Sequence, residues 1–210
     1  MAKGIFISFE GLDGSGKSTQ IAYLKEFLEE KGMDVFFARE PGSTAIGEKI
    51  RTIILDKENA EMAPVTEALL YAAARAQLVS QEIRPRLERG QTVILDRYID
   101  SSIAYQSYGR GLGDVVKAVN APAVDGCMPD LTFFVDVDPK EGRSRMDKGR
   151  DALDRLESEK AEFHERVYKG YMAVAEAEPG RVRVIDGRRS REEIRDEMIG
   201  IVQDFLDSRK

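Results

Sequence analysis

The chain has no tryptophan, one cysteine (Cys127) and one histidine (His164) in 210 residues. A single thiol forms no intrachain disulfide, and one thiol with one imidazole is a poor start for a zinc site. A reducing cytoplasm is the expected setting. No stretch approaches the roughly 18 apolar residues of a membrane span, and the N-terminus lacks an apolar signal core. A soluble protein with no membrane partner is expected. Positive charge is also in deficit. The 32 Lys and Arg are outnumbered by 38 Asp and Glu, for a formal net charge of −6. That balance argues against a broad nucleic-acid footprint while leaving room for a local basic pocket. The expected partner is a small molecule.

What the chain does have is a regular alternation of two patterns. Short runs rich in β-branched and aromatic residues, "GIFISFE", "DVFFA", "QTVILD", "DLTFFVDV" and "RVRVID", each have the length of a strand buried on both faces. Longer helical patterns separate them. Ser18 to Lys31 carries Ile21, Leu24 and Leu28 on one face, and Thr66 to Arg89 reads as one long alanine-rich helix. Ser190 and Glu193 have capping-box spacing ahead of Ile194, Met198, Ile201, Val202 and Phe205. These stripes are core and carry no chemistry. The alternation predicts a single α/β domain of three layers around a five-stranded parallel sheet, with ligands bound beyond the carboxyl ends of the strands.

The junction after the first strand has the most specific signal. Gly11 to Ser18, "GLDGSGKS", matches GxxxxGK[ST] in full and stands between a strand and a helix. Gly11, Gly14 and Gly16 allow a curl tight enough for successive N–H groups to surround phosphate oxygens, and the new helix adds its positive end. Leu12, Asp13, Ser15 and Thr19 complete the loop. Lys17 is placed to reach the β and γ phosphates of a nucleoside triphosphate, and Ser18 to ligate Mg²⁺. Such a loop does not choose among a switch GTPase, an ATPase and a kinase. A guanine reader of the Asn-Lys-x-Asp kind is missing, because the asparagines, Asn59 and Asn120, are each followed by alanine. Arginines recur at loop positions instead: Arg39, Arg51, Arg75, Arg97, Arg150 and Arg155. Most arginines are solvated surface groups. Arg97, however, follows Asp96 at the end of "QTVIL", and Arg39 follows the second strand, so both reach the sheet edge that carries the phosphate loop. Asp96 is suited to hold magnesium through water. Two alternatives to phosphoryl transfer onto a monophosphate stay open on these residues. One is a deoxynucleoside kinase with Glu10 or Glu40 as base, and the other is a nucleotide switch read by a partner protein.

"FEGLDGSGKSTQ", "REPGSTAIGEKIR", "LLYAAARAQ", "DRYIDSSIAYQ", "PDLTFFVDVDP" and "LDRLESEKAEFHERVYKGY" follow one another in an order and spacing that resembles the thymidylate kinase family. The resemblance runs from Phe6 to about Gly187. It implies phosphorylation of dTMP by Mg-ATP, the P-loop nucleoside monophosphate kinase fold, and a homodimer to which the alanine-rich helix contributes. It further implies that Asp13 meets the nucleotide sugar and magnesium region, and that Arg39, Arg51 and Arg97 surround the acceptor phosphate. By the same resemblance Tyr71 stacks on thymine, Arg75 reads its carbonyl edge, and Ser102, Tyr105 and Gln106 complete the acceptor pocket. The arginine-rich lid, about Arg143 to Glu157, together with Gly14 in the phosphate loop, is similar to the bacterial pattern, in which Arg150 swings over ATP. Ser43 and Ala74 depart from the family, standing where a second glycine and a polar residue are common.

Overall fold

Each apolar run becomes a strand of one sheet. In the computed structural model, which describes residues 4–146 and 154–209, β1 (Phe6–Glu10), β2 (Val35–Arg39), β3 (Thr92–Asp96), β4 (Leu131–Asp136) and β5 (Val182–Asp186) are all parallel, in the order β2-β3-β1-β4-β5. Parallel neighbours require crossovers, and helices supply them. α1 (Lys17–Glu30) joins β1 to β2. α2 (Ala45–Leu55), α3 (Pro64–Leu78) and α4 (Arg84–Glu88) lead to β3. α5 (Ile99–Ser102), a π-helical segment over Ile103–Gly109, and α6 (Val115–Val124) lead to β4. α7 (Pro139–Met146) and α8 (Ala161–Ala177) precede β5, and α9 (Arg191–Asp207) follows it.

Strand alternation divides the core between the two faces of the sheet. Ile7, Phe9 and Ile94 point to Ile21, Leu24 and Leu28 of α1 and to Met198 and Val202 of α9. Phe6, Val93 and Leu95 point the other way, to Leu78, Ile83, Leu87 and Tyr98. A further cluster of Leu12, Tyr105, Phe134, Phe163, Val167 and Tyr171 fills the space under α8. Each such side chain contributes about 1.5–3 kcal/mol on burial. Gly170 makes the α8 packing possible, because a Cβ there would lie 2.7 Å from Cα of Ala104 and 3.0 Å from the Tyr108 side chain.

Two expectations are corrected. The runs forming β2 and β5 are not buried on both faces, since these are the edge strands, and Phe37 and Val184 remain over two-fifths exposed. The helix expected over Thr66 to Arg89 is interrupted. Val79–Ile83 forms a π turn in which the Arg84 N–H reaches the Val79 carbonyl five residues back. Pro85 at the start of α4 explains the break, because it has no N–H to give and its ring crowds the carbonyl four residues earlier. The capping box is present as expected, with Ser190 and Glu193 each bonding the other's backbone N–H. Registry aligns the carboxyl ends of three neighbouring strands, with Arg39 opposite Asp96 and Phe9 opposite Asp96.

Candidate active site

The loop after β1 turns where only glycine is comfortable. Gly11 has φ 139°, and a Cβ there would meet the Val135 carbonyl at 2.7 Å; Gly16 has φ 95° and opens α1. The loop closes on its own lysine, whose Nζ donates to the carbonyls of Gly11 and Leu12, both at 3.0 Å. Burial and then the nearby Arg97 push the Lys17 ammonium down to about 8, against the pull of Asp13, Asp96 and Glu10. Asp13 to Thr19 line a cleft of about 990 Å³. Gly11 and Leu12 do not line it: Gly11 backs onto β4, and Leu12 belongs to the apolar cluster beneath.

At the end of β3, Asp96 and Arg97 face the same cleft. Arg97 takes the left-handed backbone conformation, φ 69°. Its Nη2 donates to Oδ1 of Asp13 at 2.7 Å, its Nη1 to the hydroxyls of Ser101 (3.2 Å) and Tyr171 (2.8 Å), and its guanidinium lies 5.2 Å from the Tyr105 ring centroid. Burial opposes this charge, but Asp13 leads a set of partners that keeps the guanidinium pKa well above the usual arginine value. Asp96 has a buried oxygen, Oδ1, with no hydrogen-bond partner, and Ser18 lines the same cleft. An anionic orphan oxygen beside a hydroxyl suits a hard, hydrated dication.

Beyond β2, Arg39 and Arg51 converge on one atom. Nη1 of each donates to the Pro41 carbonyl, at 3.0 and 2.9 Å. Burial and then the neighbouring Arg39 lower the pKa of Arg51. Two cations gathered around one neutral oxygen form an anion cradle. Tyr71, Ser102, Tyr105 and Gln106 line the cleft beside it. Arg75 does not. It lies behind, about 1% exposed, with all five N–H groups engaged. Nε and Nη2 donate to Oε2 of Glu40 at 2.9 and 2.6 Å, Nη2 also to the Tyr98 carbonyl, and Nη1 to Ser102 Oγ and to Asn120 Oδ1. Burial pushes Glu40 up to about 7, with Arg75 opposing. Glu67 makes a second such knot, accepting from Gln106, Arg110 and Arg155. Arg155 also donates from Nε to the Ile54 carbonyl at 2.7 Å, which anchors the end of the expected lid against α2. Arg150 and the lid's residues 147–153 lie outside the described residues.

The family model described as thymidylate kinase matches residues 9–198. The chain belongs to the thymidylate kinase family. It is 47% identical over 205 residues to a thymidylate kinase of Thermoanaerobacter sp. (strain X514), covering 97% of this chain and 100% of that one. It is 51% identical over 207 residues to that of Halothermothrix orenii (strain H 168), covering 97% and 99%. The crystal structure of thymidylate kinase from Ehrlichia chaffeensis superposes with a TM-score of 0.76 at 32% identity, over 95% of this chain and 99% of that one.

Against the thymidylate kinase pattern, the departure at Ser43 has a local explanation. Ser43 sits at φ 63°, where glycine is favoured, but its hydroxyl accepts from the Arg39 N–H at 2.9 Å and lies 3.0 Å from the Arg39 carbonyl, and its own N–H reaches Glu48 at 2.7 Å. Ala74 is buried at about 1% exposure, in place of the polar residue common there. Sequence reading assigned no site role to Glu67, Asn120, Ser101 or Tyr171. Tyr171 and Ser101 stand within quoted family segments, and Glu10, a carboxylate closing an apolar strand, was itself a visible signal.

Proposed function

We infer that this chain transfers the γ-phosphoryl group of ATP to dTMP. The observation that carries the inference is the meeting of a phosphate loop with Arg39, Arg51 and Arg97 in one cleft, at the carboxyl ends of three adjacent strands. A phosphate monoester has its second pKa near about 6, so the acceptor arrives largely dianionic and needs little help from a base. The requirement is instead to hold two anions in line and screen their repulsion. In this reading Asp13 to Thr19, with the loop backbone, bind the ATP phosphates. Lys17 meets the β and γ groups, and Arg39, Arg51 and Arg97 hold the acceptor phosphate. Ser18 and, through water, Asp96 would hold Mg²⁺, which would supply charge neutralisation at the transferring phosphoryl group. Tyr71 stacks on the base, with Ser102, Tyr105 and Gln106 forming the rest of the pocket. Arg75 acts there through Ser102, to which it donates at 3.0 Å. Arg150, on a lid of about residues 143–157 within a single domain, meets charge that develops during transfer.

A deoxynucleoside kinase would need a carboxylate free to take a proton from a hydroxyl. Glu10 is 0% exposed with both oxygens accepting hydrogen bonds, and Glu40 is committed to Arg75. A coupled assay of ADP formation across nucleosides and nucleoside monophosphates tests the inference. dTMP should support turnover and nucleosides should not. dCMP, which presents an amino group where thymine has a carbonyl, should be poorer by about 1–3 kcal/mol in kcat/KM, and dUMP, lacking one methyl, by no more than that. Equal use of thymidine and dTMP would sink it.

We also propose a homodimer, and an apolar surface supports it. Ile46 and Ile53 of α2, Val65 and Leu69 of α3, and Val115 of α6 are exposed apolar side chains on helices that contact one another in the chain α2-α3-α6. Light scattering should give twice 23.5 kDa; a mass of one chain at micromolar concentration would remove the dimer. A cytoplasmic location accords with the single thiol, Cys127, being buried and free. Among the described residues no helix is long and apolar enough to cross a membrane.

A further inference from the structure

Glu10 closes β1, lies fully buried, and stands behind Arg97 rather than in the cleft. Its Oε1 accepts the Tyr98 N–H at 2.7 Å. Its Oε2 accepts from the Ser101 hydroxyl at 2.5 Å and the Tyr171 hydroxyl at 3.2 Å. Those two hydroxyl oxygens, 2.8 Å apart, are the ones that accept from Nη1 of Arg97. One layer of hydroxyls therefore separates a buried carboxyl group from the guanidinium that faces the cleft.

The hydrogen count gives this layer a direction. Nη1 has two N–H groups, and both are directed at hydroxyl oxygens, so each hydroxyl receives on the Arg97 side and gives its own hydrogen away from it, Ser101 to Glu10 and Tyr171 to Glu10 or to Ser101. Oε2 of Glu10 is the final acceptor, in a carboxyl group that burial and the nearby Asp100 push up to about 8. With a donor in place of Oε2, the pair of hydroxyls would have one hydrogen with nowhere to go. The Tyr98 N–H gives Glu10 a second hold, because Tyr98 directly follows Arg97, whose left-handed backbone costs about 1–2 kcal/mol for a residue with a Cβ. Glu10 thus restrains Arg97 at both its backbone and its side chain.

We propose that Glu10 is a positioning residue for Arg97, acting through the hydroxyls of Ser101 and Tyr171, and that it aims the guanidinium at the acceptor phosphate without touching substrate. The proposal rests on the assignment of Arg97 to that phosphate. A carboxyl group buried only for stability would lower the melting temperature when replaced, but its effect on catalysis would not depend on Arg97.

A double-mutant cycle separates the two, read both in kcat/KM for dTMP and in the dTMP Kd by calorimetry. Glu10→Gln keeps the shape. With its amide oxygen on the Tyr98 N–H, however, it turns two donors toward hydroxyls already occupied by Arg97. In the parent it should lower kcat/KM roughly tenfold, the scale of a hydrogen bond lost in a buried site. In an Arg97→Ala background the same change should cost no more than about twofold. Equal losses in both backgrounds, in either readout, overturn the proposal, and so does the absence of a loss in the parent. If Glu10→Gln does not fold, Tyr171→Phe takes its place in the cycle, since it removes one hydroxyl and leaves the Glu10 bonds to Ser101 and Tyr98. Its loss must also vanish without Arg97. Arg97→Ala alone reports on the underlying assignment: unchanged kcat/KM and Kd would remove Arg97 from the phosphate site and the proposal with it. A large Arg97 effect with an additive cycle would remove Glu10 alone.

Discussion

Two sets of arginines surround the same cleft and are treated in opposite ways. Arg39 and Arg51 lean on a neutral atom, the Pro41 carbonyl, and the Arg39 side chain is about 41% exposed, with a half-exposed Glu48 as its other partner. Arg75 and Arg155 are buried, and each is matched by a buried carboxylate, Glu40 and Glu67. The first set keeps positive charge available to an incoming anion. The second has its N–H groups taken up by buried carboxyl groups and contributes rigid, bonded shape to the wall behind. One residue type therefore does two jobs, and burial of the partner decides which: a carbonyl and an exposed carboxylate leave the charge within reach of solvent, whereas a buried carboxyl group takes up the guanidinium.

The most severe way to break this contrast is to remove a buried partner. Glu40→Gln puts an amide NH2 where Oε1 lies buried with no partner and weakens the acceptor shared by Nε and Nη2 of Arg75, and should cost about 1–3 kcal/mol of stability, read as a fall in the urea midpoint at constant slope. The same variant sharpens the contrast with pH. Glu40 has its pKa raised on folding, from 4.5 to about 7, so its contribution is fully present below about 4.5 and is lost as pH rises through 7. The parent should therefore lose more stability between pH 5 and pH 8 than Glu40→Gln does; parallel pH profiles would contradict the assignment.

On the cleft side the expected losses are in rate and binding rather than stability. Lys17→Ala should lower kcat roughly 10²- to 10³-fold, the scale of removing one preorganised donor from a transition state, with an unchanged melting curve. Normal turnover would dismiss the phosphate-loop assignment. Arg51→Ala should weaken dTMP by about 1.5–3 kcal/mol, the worth of a hydrogen bond to a charged group, and leave ATP affinity and urea midpoint nearly as they were. A stability loss as large as that of Glu40→Gln would place Arg51 with the buried set. The smallest effect is expected at Ser43→Gly, where release of a left-handed serine and loss of its hydrogen bonds to Arg39 nearly cancel, within about 1 kcal/mol in either direction.

The fold was readable where local pattern decides it. Five apolar runs became five parallel strands, and Ile21, Leu24 and Leu28 became the buried face of α1. Edge and centre could not be distinguished, because exposure of Phe37 and Val184 depends on which strand lies alongside, and a run of letters does not say. The π turn before Pro85 is hidden inside an alanine-rich pattern that favours one continuous helix, and only the missing N–H of Pro85 marks it. In the site, the loop and the strand-end residues were legible because each sits beside its motif. The partners that set their geometry were not, since Arg75 meets Glu40 and Asn120 across 35 and 45 residues, and Arg97 meets Tyr171 across 74.

Gly170 sets a distance as well as filling a gap. With no side chain, it lets α8 rest against Ala104 of the π-helical segment, and its neighbour Tyr171 is the residue whose hydroxyl arrives between Glu10 and Arg97. The spacing of two helical elements is thus the gauge that fixes how far one phenol projects. Its tolerance is a few tenths of an ångström, because the oxygen is 2.8 Å from Arg97 but already 3.2 Å from Glu10, where further withdrawal would break the bond. Even one methyl at position 170 would be read at the guanidinium as a change of aim.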